Sequence, residues 1–260
     1  MFFFPGHNQT TFDKCFIQKF DHLQFYPSHV HKLHNFAYRP IIIREILQHS
    51  NYVLWLQIDQ RFQSQNSFKN FIANHTAKSG ISLWTKDNNV PTSSLTHPKM
   101  FNYLIKAKES IENFNFQHMI ALNALLVTND SDISAKVMKP WILCALIQDC
   151  IEPIGAQSTG CRFDKKPKYR YSGKVIVHLS NCTWYNKHFP GCHDYDVSAL
   201  NIVLGLAFDF DESQYIESNK FFVSASEEYK ETELKSDLNE TIVRGNVTHD
   251  LFGDLTQDIP

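Results

Sequence analysis

The chain has 260 residues, 43% of them hydrophobic, and a formal charge of −2, enough to bury one domain-sized core but without the basic excess that general nucleic-acid binding needs. Charge is unevenly placed: residues 211–260 carry 12 acidic and 4 basic side chains against 15 and 21 in residues 1–210, which predicts an α/β body over 1–210 and an acidic, partly flexible extension over 211–260. No window approaches the roughly 18–20 unbroken apolar residues that cross a bilayer, and the opening Met1–Pro5 is too short and lacks the basic flank of a secretory signal.

Around Tyr26-Pro27, the apolar residues Phe20, Leu23, Phe25 and Val30 predict a strand followed by a turn. Pro40, suited to the first turn of a helix, opens a short helix over Ile41–Leu47. The run Tyr52–Leu56 is almost wholly apolar and gives way to Gln57-Ile-Asp-Gln-Arg61, as a strand buried on both faces does when it emerges into a loop. Helix followed by buried strand predicts a parallel-sheet unit. An amphipathic helix over 64–78 stops at Gly80 before a short strand, Ile81–Trp84, and 86–99 reads as loop. Met119–Thr128 fits strand or helix equally. Asp132 is a candidate cap for a helix carrying Val137, Trp141, Ile142, Ala145 and Leu146, with Pro140 forcing a break or kink inside it. Residues 155–173 read as an excursion, His193–Leu204 as a helix with an acidic first turn, and Lys220–Ser224 as a strand in the extension. This alternation predicts a mainly parallel α/β sheet, whose ligands bind outside the carboxyl ends of its strands.

Two counts point to the secretory lumen. Asn-X-Ser/Thr occurs at Asn8, Asn74, Asn129, Asn181, Asn239 and Asn246, where composition alone predicts about 2.4 such sites. The cysteines, Cys15, Cys144, Cys150, Cys161, Cys182 and Cys192, form an even set, and the spacings 150/161 and 182/192 suit short disulfide loops, with the pairing left open. Metal binding is the rival use, yet there is no CxxC and no zinc-ribbon spacing. Lumenal features without a signal predict a piece of a longer chain whose parent carries an N-terminal signal or a single membrane anchor.

The strand-end rule singles out Asp59 as a ligand for a divalent cation that neutralises a diphosphate; the plainer alternative is a loop Asp bonded to nearby amides. Asp194 and Asp196 flank Tyr195 at a helix start, where paired carboxylates supply a general base or orient a hydroxyl nucleophile, or simply suit a first helical turn. Lys139, before Pro140 and Trp141, is architectural or faces a phosphate. His178 and His193 stand open as metal ligands or neutral polar neighbours among 13 His. No GxSxG, GxGxxG or P-loop is present, so neither a nucleophile elbow nor a glycine phosphate cradle is expected.

The blocks Tyr26-Pro-Ser-His-Val30, Tyr38–Ile43, Val53–Leu56 with Arg61-Phe62, His97–Phe101, Lys139–Leu146, Cys150–Pro153 and Cys192–Asn201 together cover roughly residues 20–205. In that order they resemble a poorly characterised animal family, abundant in nematodes, related to nucleotide-diphospho-sugar transferases. The resemblance implies a GT-A-like, Rossmann-like α/β fold with a mainly parallel sheet flanked by helices, here N-terminally incomplete. It also implies a Golgi or ER lumenal protein, type II membrane-anchored or secreted, that transfers a sugar from a nucleotide sugar to a hydroxyl on a glycan or protein acceptor, often with Mn²⁺. Carried over, Asp59 is the metal ligand, Asp59, Arg61 and Lys139 hold the nucleotide sugar, and Asp194 or Asp196 orients or deprotonates the acceptor. The family pattern places Asp where this chain has Gln57, and Asp-Gln where it has Asp196-Val197. Those departures motivate the alternative of a catalytically inactive glycosyltransferase-fold binding protein, secreted or membrane-tethered.

Overall fold

In the computed structural model the described residues are 20–74, 79–105, 111–157, 171–172, 175–176, 193–218 and 221–224. In chain order the helices are α1 Tyr38–Leu47, α2 Gln65–Asn74, α3 Pro98–Leu104, α4 Ser131–Ile133, α5 Lys139–Leu146, α6 Gln148–Ile151 and α7 Tyr195–Ala207. The strands are β1 Tyr52–Leu56, β2 Gln60–Phe62, β3 Ile81–Pro91, β4 His118–Thr128, β5 Tyr171–Ser172, β6 Val175–Ile176 and β7 Phe222–Ser224. The class is mixed α/β. Two units divide the chain, Met1–Gln57 with His75–Asn219, and Ile58–Asn74 with Lys220–Pro260.

Three 3₁₀ turns, Asp21–Phe25, Ser28–His31 and Leu33–Asn35, replace the strand expected around Tyr26-Pro27. Local side chains satisfy this backbone: Asn35 accepts the Ala37 N–H at 3.0 Å and donates to the His29 carbonyl at 3.0 Å, so no strand partner is needed. The chain then enters α1, three residues ahead of the expected Ile41, and α1 buries Arg39, Pro40, all three of Ile41–Ile43, Ile46 and Leu47.

The expected mainly parallel sheet does not form. Strand order in the first unit is β1-β4-β3, and both pairings are antiparallel, with Tyr52 opposite Thr128 and Ile81 opposite Val127. Parallel contact is limited to a single bridge between Leu83 and Ile216 among the described residues. The physical reason is that an apolar run records burial, not direction. Tyr52–Leu56, expected to be buried on both faces, lies at one end of the strand order with Tyr52 exposed and only Val53 and Leu54 fully buried. β4, whose run fits strand or helix equally, is the central strand and is buried along most of its length. β3 also runs on to Pro91 instead of stopping at Trp84, and α3 takes up the end of the expected 86–99 loop, its first turn capped by His97, which accepts the Lys99 N–H.

Ser131 to Leu146 is one continuous helical stretch. Asp130, not Asp132, caps it, accepting the N–H groups of Asp132 and Ile133. Pro140 has no N–H to give to the carbonyl one turn back, and the helix absorbs this by widening into a π turn over Ser134–Met138, with the Lys139 N–H on the Ser134 carbonyl. Beyond Leu146 the break at Ile147 folds the chain back and brings Cys144 to Cys150, Cα to Cα 5.2 Å, in a disulfide. This overturns the 150/161 loop; the 182/192 loop and Cys15 lie outside the described residues.

In the second unit β2 pairs antiparallel with β7, which falls within the expected Lys220–Ser224 strand, and α2 sets Phe68 and Phe71 edge-on against Phe62, with Phe71 also meeting Phe221 and Phe222. Most of the 155–173 excursion and of the acidic extension lies outside the described residues, as do 75–78 of the expected 64–78 helix. Among the described residues no helix is long and apolar enough to cross a membrane. The Cys144–Cys150 bond is consistent with a lumenal or secreted location, and Asn129, an expected glycan acceptor, is exposed.

Candidate functional site

The first turns of α1 and α7 meet at two charged side chains. Arg39 Nη1 lies 3.0 Å from Asp196 Oδ2, and the two side chains are 2% and 0% exposed. The distance is that of an ion pair but the angles are not those of a hydrogen bond. Neither carboxylate oxygen, nor Arg39 Nε and Nη1, has a hydrogen-bond partner among the described residues. The guanidinium instead stacks on aromatic faces, 4.5 Å from the Phe36 ring centre and 5.5 Å from that of Trp55.

The backbone on both sides of the pair is held in the left-handed region. Phe36 has φ 52° and Tyr195 φ 46°, conformations that cost a bulky residue of order 1–3 kcal/mol and tend to cluster where function requires them. Neighbours over-determine the geometry. The Trp141 Nε1–H donates to the Asp196 carbonyl at 3.0 Å, and Ser198 Oγ donates to the Leu95 carbonyl at 2.6 Å while accepting the Asp194 N–H.

Burial pushes the Asp196 carboxyl up to about 7, against the opposing pull of Arg39 and of the Val197 N–H, which approaches without reaching hydrogen-bond geometry. Asp194 adds a smaller upward push. Position in a first helical turn favours the ionised form by roughly 0.3–1 kcal/mol, and desolvation outweighs it. Burial also raises the Tyr38 hydroxyl beside the pair. A carboxyl titrating near neutrality can take up and return a proton at physiological pH.

His193, weighed above as a metal ligand, has both ring nitrogens engaged. Nδ1 accepts the His97 N–H at 3.2 Å and Nε2 donates to the Ile151 carbonyl at 3.0 Å, which fixes the neutral tautomer; burial brings its pKa down to about 4. His178 lies outside the described residues. Asp194 is half-buried at the head of α7 and its backbone N–H reaches the Leu95 carbonyl at 3.1 Å.

Asp59 and Arg61 belong to the second unit, and both are exposed. Asp59 Oδ2 accepts from Ser224 Oγ at 3.2 Å and from Gln60 Nε2 at 3.4 Å, the loop-Asp arrangement. For a hard cation such as Mn²⁺ this is one carboxylate where a resident site wants several oxygen ligands, and no cluster of three or more His, Cys, Asp or Glu with metal-holding geometry occurs among the described residues. Lys139 is exposed in the first unit and lines a cleft with Arg44. The structure therefore brings Asp194 and Asp196 to one helix head and leaves Asp59 and Arg61 beside and within β2, in its pairing with β7.

Sequence reasoning missed Arg39 altogether. Its signal was there, in a cation placed beside Pro40 in a stretch that is otherwise apolar, a composition in which a charge needs a buried partner. In comparisons with known proteins, no family model, no curated protein and no solved structure matches this chain.

Proposed function

We propose that the chain is a glycosyltransferase-like protein of the secretory lumen, which binds a nucleotide sugar and delivers the sugar to an acceptor hydroxyl. The observation that supports this reading is the Asp196 carboxyl, held near neutrality against Arg39 with its lone pairs unspent, in the block Cys192–Asn201 that carries the resemblance. In the transfer, the acceptor oxygen bonds to the anomeric carbon as the bond from that carbon to the diphosphate breaks and its electron pair leaves with the diphosphate. Because Asp196 and Arg39 are 0% and 2% exposed, this step requires the head of α7 to open. Once open, Asp196 takes the hydroxyl proton, with Asp194 orienting the acceptor, and Arg39 offers charge-assisted hydrogen bonds to the anion. Kinship with GT-A folds rests on the sequence blocks and not on the sheet, which is antiparallel. The roles that the resemblance carries over to Asp59 (Mn²⁺), Arg61 and Lys139 (phosphate contacts) rest on the sequence blocks alone and are not assigned to the Asp196 site. A glycan or protein acceptor and residence in the Golgi or ER belong to the same proposal. No step above depends on them.

A second reading, a binder that does not transfer, is favoured by the complete burial of Asp196 and by Gln57 standing where the family has a carboxylate. Titration of a panel of UDP- and GDP-sugars with Mn²⁺, followed by assay of nucleoside diphosphate release, separates the two. Binding with release that falls at least about a hundredfold in Asp196→Asn supports transfer. Binding without release supports the binder, and no binding to any donor sinks both. Equal binding by Asp59→Ala removes the metal role from Asp59.

A further inference from the structure

Lys139 and Arg44 line a cleft of about 440 Å³ together with Ser131, Ser134, Ala135, Ile142 and Leu143. Two cations and two hydroxyls converge there, and no carboxylate is in the lining. The acidic residues at the start of the same helix are already engaged. Asp130 caps the first turn, and Asp132 pairs with Lys136 at 3.0 Å. Arg44 and Lys139 make no ion pair among the described residues.

The winding of the helix creates this convergence. Residues five apart in an α-helix point about 140° away from each other. In the π turn the Lys139 N–H bonds back to the Ser134 carbonyl, so Lys139 sits above Ser134 and both turn toward α1. The same 140° separates Arg44 from Arg39 on α1, so one helix sends one arginine to the buried Asp196 and the other to the cleft. A cleft of this size falls within the range of small-molecule sites, and its exposed Leu143 supplies apolar surface beside the charges.

We propose that the cleft binds an oxyanion ester, a phosphate or sulfate carried on a small molecule of monosaccharide size. The Arg44 guanidinium offers a planar fork to two ester oxygens, Lys139 a point charge, and Ser131 and Ser134 hydroxyl donors, while the carrier ring lies along Ile142 and Leu143. The proposal goes beyond nucleotide-sugar transfer and does not depend on Asp196.

The test is calorimetric titration of the full chain with glucose 6-phosphate, glucose 6-sulfate, unesterified glucose and inorganic phosphate, at low and high salt. Saturable binding of one or both esters, weakened by salt and absent for glucose, is expected, with at least about a tenfold loss in Lys139→Gln and in Arg44→Gln and none in Asp196→Asn. Binding of the phosphate ester alone, or of the sulfate alone, identifies the source and supports the site. Absence of binding by both esters, equal binding of glucose, or full affinity in the Arg44→Gln/Lys139→Gln double variant overturns it. Lys139 is exposed, so Lys139→Gln decides the matter even if Arg44→Gln fails to fold. Retained ester binding in an Asp196→Asn protein without transferase activity distinguishes failure of the transfer reading from failure of this one.

Discussion

The side chain of Asn201 pairs with the backbone of Ile120 as a neighbouring strand would: Oδ1 accepts the Ile120 N–H at 2.9 Å and Nδ2 donates to the Ile120 carbonyl at 2.9 Å. β1 ends opposite Ala124, so the near half of β4 has no strand on that side, and the amide of α7 fills the gap. The Asn201 carbonyl in turn accepts from Gln117 Nε2 at 2.8 Å. Asn201→Leu is expected to leave both Ile120 groups bare at about 1–3 kcal/mol each, measured by urea unfolding. A variant as stable as wild type would show that water or a shifted backbone replaces the pairing.

Arg39 and Asp196 depend on each other. Arg39→Leu strands a buried carboxylate and is expected to cost about 3–5 kcal/mol, whereas Arg39→Leu with Asp196→Leu recovers most of the loss. The folded pKa of Asp196, about 7, lies above its ordinary 3.8, so the fold prefers the protonated carboxyl. Its contribution is whole below about pH 3.8 and is lost as pH rises through about 7. Asp196→Asn should therefore gain stability relative to wild type between those values. A difference that stays flat across the window refutes the raised carboxyl.

His193 works in the opposite sense. Its folded pKa, about 4, lies below the ordinary 6.5, so the neutral ring contributes stability that is complete above pH 6.5 and is lost as pH falls through about 4. Denaturant midpoints for wild type should fall over that acid window, with a slope of at most about 1.4 kcal/mol per pH unit from this group. His193→Asn should flatten the slope. An unchanged slope assigns the acid sensitivity to other groups.

Gly205 on α7 faces Gln117 and the rings of Phe114 and Phe210. A Cβ there would meet Gln117 Oε1 at 2.5 Å and the rings of Phe114 and Phe210 at 3.0 Å. Gly205→Ala normally favours a helix by up to about 1 kcal/mol, but the overlap is expected to reverse this to a net loss of about 1–3 kcal/mol in thermal unfolding. A stabilised variant would mean that the Gln117 side chain, whose Oε1 lacks a hydrogen-bond partner among the described residues, swings clear.

Local chemistry was legible in the sequence where it is local in space. Pro40 marks α1, Gly80 precedes β3, and the helices expected over 64–78 and His193–Leu204 appear as Gln65–Asn74 and Tyr195–Ala207. What the sequence did not show depends on partners far along the chain. The direction of β1 against β4 is invisible in a run that is apolar on both faces, and the closure of Asp196 depends on an arginine 157 positions earlier. Pro140 did disturb its helix, but by widening the turn before it, a response that only the surrounding packing selects. At the candidate site, Asp194 and Asp196 were visible as carboxylates on a helix head. Their environments, one half-buried and one sealed, were not.

The Cys144–Cys150 disulfide closes over a sequence separation of only 6 residues. Contacts that short form in well under a microsecond of chain motion, long before β1 can find β4 across some seventy residues. The two thiols of this disulfide therefore meet without help from the long-range fold. With Cys144 paired to Cys150, the fifteen possible pairings of six cysteines fall to the three open to Cys15, Cys161, Cys182 and Cys192.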